Sequence, residues 1–238
     1  MNDYDSIFYR HEEKFIITRT DAEIIKNEIS LICSLDSHTN EEGIYNIKSI
    51  YFDTVNDKFL KETIDGVNLR HKYRIRAYNN DLDRITLEKK YAENGLKRKE
   101  SDLISLDMCK ALSFDSVHSV DSRDLKIVGS LQTESMITPI IPKVIIGYKR
   151  IPYVYPIGNV RITFDSEIVA SRNLNSFFEE EHNDFVEVLP NTIILEVKYD
   201  EFLPRQIRNI LSRNGLLSQT SFSKYAMGRL KIQEGAFV

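Results

Sequence analysis

The chain has 238 residues, 42% of them hydrophobic and 29% charged, with 32 Lys and Arg against 36 Asp and Glu and a formal net charge of -4. Such a length fills a real core, and the acidic balance excludes a general nucleic-acid coat protein, which carries a basic excess over its whole domain. Any cationic site must therefore be local.

The opening residues "MNDYDSIFYRHEEKF" contain no basic segment followed by an apolar run, and no stretch reaches the ~18 apolar residues of a membrane span. Together with two cysteines, Cys33 and Cys109, in apolar helix-like stretches, this gives the expectation of a reducing, cytoplasmic setting with the thiols as small core residues.

In chain order, 8–17 reads as a strand, and "TDAE" predicts a capping box with Thr20 as N-cap and Glu23 three residues on, opening a helix to about residue 35. Residues 44–53 are strand-like and 56–65 form a short helix. Three strands, 69–78, 83–91 and 96–104, follow as a meander with turns at "NNDLD" and "AENG". Residues 105–135 have helical spacing with Ser and Asp breaks. Strands resume at 143–155, 159–165 and 192–199, and helices at 204–214 and 222–233 close the chain. The segment 177–187, with Glu179, Glu180, Glu181, Asp184 and Glu187, reads as a solvated acidic loop. Nothing resembling a linker divides the chain, so one α+β domain over 1–238, dominated by antiparallel strands, is expected.

Side chains alternate across a strand, so residues of one parity share a face. In 69–77 the odd positions Leu69, His71, Tyr73, Ile75 and Ala77 are mostly apolar, whereas the even ones are Arg70, Lys72, Arg74 and Arg76. The pattern recurs with Arg10, Glu12 and Lys14; with Arg84, Thr86, Glu88 and Lys90; with Arg161, Thr163 and Asp165; and with Glu196, Lys198 and Asp200. Alternation alone describes ordinary sheets with one wet face. Faces rich in Arg and isolated carboxylates, strands enough to close, and helices to cover an apolar exterior point instead to a barrel with its charges inward. Its ligand would be a polyanion, because crowded, desolvated cations need one, and Arg offers forked donors to phosphate. Glu12, Glu88 and Glu196 then orient the cations or ligate Mg²⁺ or Mn²⁺.

The motifs "YRHEEKF", "SIYFDT", "YRIRAY", "LEKKYAENGLKRK", "YKRIPY", "VRITFD", "ILEVKYD" and "SFSKYAMG", in this order, resemble the polyphosphate polymerase (VTC) domain of the triphosphate tunnel metalloenzyme superfamily. The resemblance implies an eight-stranded antiparallel tunnel that holds triphosphate and metal, with helices outside. It implies a transferase moving the terminal phosphate of ATP onto polyphosphate, with Mn²⁺ or Mg²⁺ as cofactor. Carried over, Arg74, Arg76 and Lys224 clamp the transferred phosphoryl group; Lys14, Lys90, Lys99, Arg150, Arg161 and Lys198 bind phosphate; and Glu196 binds metal. Tyr225 is shared between a structural and a ligand role, and the alignment leaves Lys97 and Lys99 interchangeable. Partners would be ATP and polyphosphate, not nucleic acid, and coupling to a membrane would need a partner chain. Two departures stand out. Arg10 occupies the first carboxylate position of the superfamily's Glu-x-Glu-x-Lys motif, against a two-metal arrangement. Arg150 is in phase with Val144, Ile146 and Tyr148, as though a bulge or Pro152 re-aimed its strand. The rival readings are a metal-dependent triphosphatase of the same fold, a module that only binds polyphosphate, inositol phosphates or a nucleotide, and, more weakly, an RNA-end-processing enzyme.

Overall fold

A computed structural model of the chain describes residues 9–37, 39–179, 184–216 and 220–234. Its strands are β1 (His11–Thr18), β2 (Ser34–Leu35), β3 (Tyr45–Thr54), β4 (Leu69–Tyr78), β5 (Ile85–Glu93), β6 (Leu96–Ile104), β7 (Ile140–Tyr155), β8 (Val160–Ser171), β9 (Val186–Glu187) and β10 (Thr192–Tyr199). The helices are α1 (Arg19–Ser30), α2 (Lys58–Ile64), α3 (Leu106–Phe114), α4 (Lys126–Ile137), α5 (Arg205–Arg213) and α6 (Lys224–Glu234). Among the described residues no helix is long and apolar enough to cross a membrane.

One antiparallel sheet runs in the order β1-β10-β8-β7-β3-β4-β5-β6, with β2 attached to β7 and β9 to β8. The sheet thus has ten strands among the described residues where eight were expected. The two extra ones are two residues long, too short for alternation to show. The ends of the path meet, because Arg10 N donates to Lys97 O at 3.0 Å and Lys97 N to Arg10 O at 3.1 Å. This closure removes the free edges.

Helix α1 is capped two residues earlier than expected. Thr18 is the N-cap, its hydroxyl accepts from Asp21 N at 3.1 Å, and the Asp21 carboxylate accepts from Thr18 N. The segment "TRTD" offers the same spacing as "TDAE", and the end of β1 decides between them. The helix also stops at Ser30, because residues 34–35 pair with Tyr153 and Val154 of β7. Strand β8 continues to Ser171, past the expected end at 165. Its pairing with β7 shifts between Gly147 and Lys149, and Glu167 sits at φ 50°. This bulge inverts the phase, so Arg161 and Asp165 before it and Ile168 and Ala170 after it share the inner face, and the simple alternation ends there.

Three apolar clusters organise the layers. Ile50, Phe52, Tyr73, Ile75, Ile85 and Leu87 pack outside the sheet beneath α2, α3 and α4. Phe15, Ile17, Ile162, Phe164, Leu195 and Val197 do the same beneath α1 and α5. The third cluster lies inside: Ile47, Tyr51, Val144, Ile146, Ile168, Ala170 and Ile194 meet Tyr225 and Ala226 of α6. Helix α6 therefore plugs one stretch of the tunnel interior. Gly228 permits it, since a Cβ there would lie 2.2 Å from Ile146 Cδ1. The phase of Arg150 follows, because Val144, Ile146 and Tyr148 are inner residues too and β7 is not re-aimed.

Both cysteines are buried, Cys109 in α3 and Cys33 just beyond α1; burial pushes their thiols up, to about 12 and about 11 respectively. In the acidic segment, Glu180 and Glu181 lie outside the described residues. Asp184 accepts hydrogen bonds from the Ser171 and Ser176 hydroxyls, which ties that segment to β8.

Candidate functional site: a cationic cavity inside the closed sheet

The even positions of β4 face inward, as the parity of the sequence requires. Arg70, Lys72, Arg74 and Arg76 line a cavity of about 330 Å³ together with Lys14, Lys90, Lys97, Arg150, Lys198 and Lys224. Among the described lining residues these ten cations face two carboxylates, Glu12 and Glu196. Ile64 and Leu230, both exposed, mark the mouth between α2 and α6, whereas Arg76, Tyr148, Arg150 and Glu196 are buried at the floor.

Carboxylates neutralise the cations of the floor and walls in pairs. Arg74 Nε donates to Glu88 at 2.6 Å and Lys99 Nζ to the same carboxylate at 2.8 Å. Arg150 makes a two-pronged contact with Asp165 at 2.6 and 2.7 Å, and Lys224 approaches its Oδ2 at 2.5 Å. Lys14 lies 3.0 Å from Glu12 and 3.5 Å from Glu196, Lys90 bonds Glu12 at 2.8 Å, and Lys198 pairs with Glu196. Among the described residues no carboxylate lies within ion-pair distance of Arg76; it donates to Ser49 Oγ at 3.1 Å and Tyr148 Oη at 3.0 Å. Helix α6 brings Lys224 to the floor because Tyr225 Oη donates to Asp53 at 2.5 Å while its ring stacks on Tyr51, centroids 5.1 Å apart. Asp53 also accepts from Phe59 N and Leu60 N of α2, so one buried carboxylate anchors both helices. Tyr225 thus has a structural bond, and its ring is not among the cavity lining.

Of the residues carried over by resemblance, Lys14, Arg74, Arg76, Lys90, Arg150, Lys198, Lys224 and Glu196 meet at this cavity. Two do not line it. Arg161 shares the inner face but lies beyond the floor, 3.0 Å from Asp36, an acceptor in the turn after β2 that no strand pattern reveals. Lys99 faces inward but is bound to Glu88, and Lys97, the other candidate of that pair, is the one at the cavity. Arg10 is engaged by Asp200 at 2.9 Å. Sequence reasoning missed Arg70 and Lys72 as site residues, although their parity with Arg74 gave the signal. It also missed the phenols of Tyr51 and Tyr148, which accept from Arg74 and Arg76.

Burial acts against every one of these charges, and the neighbours decide the outcome. For Glu12 and Glu196 burial raises the carboxyl pKa, but Lys14, Lys90 and Lys198 outweigh it and hold both well below the usual range. For Lys90 burial prevails over Glu12, with Lys14 and Lys198 adding to it, and lowers the ammonium to about 7. Lys72, buried and surrounded by Lys90, Lys14, Arg70 and Arg74, is likewise well below the ordinary lysine value. Unfolding restores a lysine value near 10.4, so between pH 7 and about 10 the unfolded chain binds more protons and raising the pH stabilises the fold. The metal-free, ligand-free protein should therefore melt at a higher temperature at pH 8.5 than at pH 7, and Lys90→Met should flatten that rise. A melting temperature that falls over this window, or the same slope in the variant, would refute the assignment.

Glu12 and Glu196 offer the hard oxygen donors that Mg²⁺ or Mn²⁺ takes. Among the described residues no three His, Cys, Asp or Glu side chains gather into a metal cage. An ion would thus be held by one or both carboxylates with phosphate oxygens and water completing its shell, the usual state of Mg²⁺.

Among curated proteins no relative matches the chain. Two solved structures share the fold. One is a candidate adenylyl cyclase from Hippeastrum described as having a dominant triphosphatase activity, with TM-score 0.55, 14% identity, and 94% of this chain and 96% of that one covered. The other is a candidate adenylate cyclase from Bacillus halodurans, with TM-score 0.53, 15% identity and coverage of 90% and 95%. The family model described as VTC domain matches residues 9–232, nearly the whole chain. The chain therefore belongs to the VTC domain family of the triphosphate tunnel superfamily.

Proposed function

We propose that the protein is a phosphotransferase that moves the terminal phosphate of ATP onto a growing polyphosphate chain inside the cationic cavity. The observation that carries this reading is the floor, where Arg74, Arg76, Arg150 and Lys224 surround a space bordered by the carboxylates of Glu12 and Glu196. In a pure anion-binding module the two carboxylates would serve only to balance Lys14, Lys90 and Lys198, whereas a metal-assisted transferase also uses them as oxygen donors to the ion.

The reaction asks little covalent chemistry of the protein. Charge spread over the phosphoryl oxygens is met by preorganised donors, and donor and acceptor phosphates are held in line. Arg74, Arg76 and Lys224 clamp the transferred phosphoryl group. Lys14, Lys90, Arg150 and Lys198 hold the remaining phosphates, and no side-chain nucleophile is required, since an oxygen of the acceptor chain attacks the terminal phosphorus of ATP, the bond from that phosphorus to the bridging oxygen breaks, and ADP leaves. Glu196, with Glu12 beside it, would hold a divalent ion that neutralises charge on the phosphate oxygens when bound. Arg161 and Lys99 have no direct part in this reading, because their partners Asp36 and Glu88 hold them away from the cavity.

The fold shared with a protein described as a triphosphatase supports a second reading, in which water replaces the acceptor phosphate. Incubating purified protein with ATP and Mn²⁺ or Mg²⁺ separates the two. Long-chain polymer on a gel supports the transferase, free phosphate without polymer supports the triphosphatase, and neither product leaves a binding module. Glu196→Gln gives a further check. The variant should lose metal-dependent turnover while binding tripolyphosphate as tightly as wild type or more so, because a carboxylate among cations opposes an anion. Turnover at the wild-type rate at ordinary metal concentrations would remove Glu196 from the site.

A further inference from the structure

One inward row crosses four strands of the closed sheet: Lys14 of β1 is paired with Glu196 of β10, Glu196 with Thr163 of β8, and Thr163 with Pro152 of β7. Thr163 is 1% exposed, and its Oγ1 has no hydrogen-bond partner among the described residues. A hydroxyl buried without a partner is costly, and Val would occupy the same position without that cost. From this placement we infer that Thr163 is a positioning residue for Glu196, whose carboxylate accepts the Thr163 hydroxyl hydrogen once an ion and phosphates occupy the floor.

The surroundings narrow the choice of acceptor. Pro152, on one side, has no polar side chain, and its carbonyl already accepts from Asp36 N at 3.0 Å. Arg161 and Asp165, the inward residues before and after Thr163 along β8, stand about 6.7 Å away at ~3.3 Å per residue. They are engaged by Asp36 and by Arg150 and Lys224 respectively. Directly paired residues have Cβ atoms about 4.5–5.5 Å apart, so a rotation of the Glu196 or Thr163 side chain is enough to join the two. In the free protein Glu196 is satisfied by cations instead: Lys198 pairs with Oε1, Arg150 lies 3.9 Å from the same oxygen, and Lys14 lies 3.5 Å from Oε2. Phosphate draws on those same cations when the cavity fills. A carboxylate that gives one oxygen to a divalent ion is held by a hydrogen bond to the other. An ammonium in that place would repel the ion and compete for phosphate, and a neutral hydroxyl does neither. Thr163 is thus idle in the free protein and engaged in the loaded one.

This inference rests on the reading of Glu196 as the residue that holds the ion, and one set of measurements separates the two. The melting temperature of the free protein and the affinities for metal-free tripolyphosphate and for its preformed Mn²⁺ complex are measured for wild type, Thr163→Val, Thr163→Ser and Glu196→Gln. Thr163→Val should melt at or above the wild-type temperature, bind metal-free tripolyphosphate within about twofold of wild type, and bind the Mn²⁺ complex about tenfold or more weakly. Thr163→Ser, which restores the hydroxyl, should bring the affinity for the complex back to within about threefold of wild type. If Thr163→Val binds the Mn²⁺ complex as wild type does while Glu196→Gln weakens it, the role of Thr163 is overturned and that of Glu196 stands. A Thr163→Val protein that melts below wild type also overturns the inference, since the hydroxyl would then have a partner in the free protein. So does a loss that Ser fails to restore, which would be one of packing. If Glu196→Gln leaves the affinity for the Mn²⁺ complex unchanged, the ion is not on Glu196, and the reading of the floor falls together with this inference.

Discussion

Asp165→Asn is expected to lower the melting temperature of the free protein sharply, and tripolyphosphate is expected to raise it more in the variant than in wild type. Asp165 is fully buried, and its two oxygens are the counter-charge for Arg150 and Lys224. Removing one partner of a buried, hydrogen-bonded ion pair leaves the other charge stranded, at a cost of about 3–5 kcal/mol. Glu196, 3.9 Å from Arg150, compensates only in part. A polyanion on the floor supplies the missing negative charge. Ligand at a hundred times its dissociation constant contributes about 2.7 kcal/mol by mass action, and tighter binding in the variant adds to that. An unchanged melting temperature would mean that the triad contributes nothing net. A smaller ligand-induced rise than in wild type would mean that Arg150 and Lys224 do not face the ligand.

Arg76 and its neighbour Ile75 should fail in opposite ways. Arg76 reaches the cavity floor held by the hydroxyls of Ser49 and Tyr148 and over the Tyr78 ring, with no ion-paired carboxylate among the described residues, so Arg76→Ala strands none of those. It should cost turnover on the order of 2–4 kcal/mol in transition-state stabilisation, with the free protein melting close to wild type. Ile75 points the other way, into the outer core beneath α4, and Ile75→Ala should lower stability by roughly 2–5 kcal/mol with tripolyphosphate affinity unchanged in the folded molecules. Arg74 does not make the same clean test. It balances Glu88, which is 1% exposed, and its removal would strand a carboxylate as well as a ligand contact. If Arg76→Ala unfolds the protein as readily as Ile75→Ala and leaves tripolyphosphate affinity intact, the inner row is structural and the proposed chemistry is wrong.

Much of this arrangement was legible in the sequence. Strands β4 and β10 fall where alternation and the turn residues put them, because each has one apolar face against a helix layer and one polar face toward the cavity; β6 falls in place through its turn residues, although its outer face carries Arg98, Glu100 and Asp102. Legibility failed where a side chain's partner came from outside the pattern. Arg161 has the parity of a tunnel residue, yet Asp36 in a turn holds it. Val144 and Ile146 look out of phase with Arg150 until α6 supplies an apolar surface for them inside the sheet. The extension of β8 was hidden by one extra residue at the Glu167 bulge, and the start of α1 by two overlapping capping signals. Arg70 and Lys72 shared the parity of Arg74, but the family motif begins after them.

The pairing of β1 with β10 sets Lys14 opposite Glu196, near opposite ends of the chain. Contacts of such sequence separation form only after the intervening loop has closed, and β-rich topologies of this kind fold in milliseconds to seconds. Until β1 docks, Glu12 and Lys14 are both missing from the cluster, and the remaining strands still present more cations, Arg70, Lys72, Arg76 and Lys97 among them, than carboxylates, so the partly folded sheet presents an open positive surface. Refolding should consequently accelerate when inorganic phosphate or tripolyphosphate is present from the first moment, whereas the unfolding rate should respond only to ligand bound in the finished cavity. The polyanion that the finished cavity accepts would then also assist its assembly.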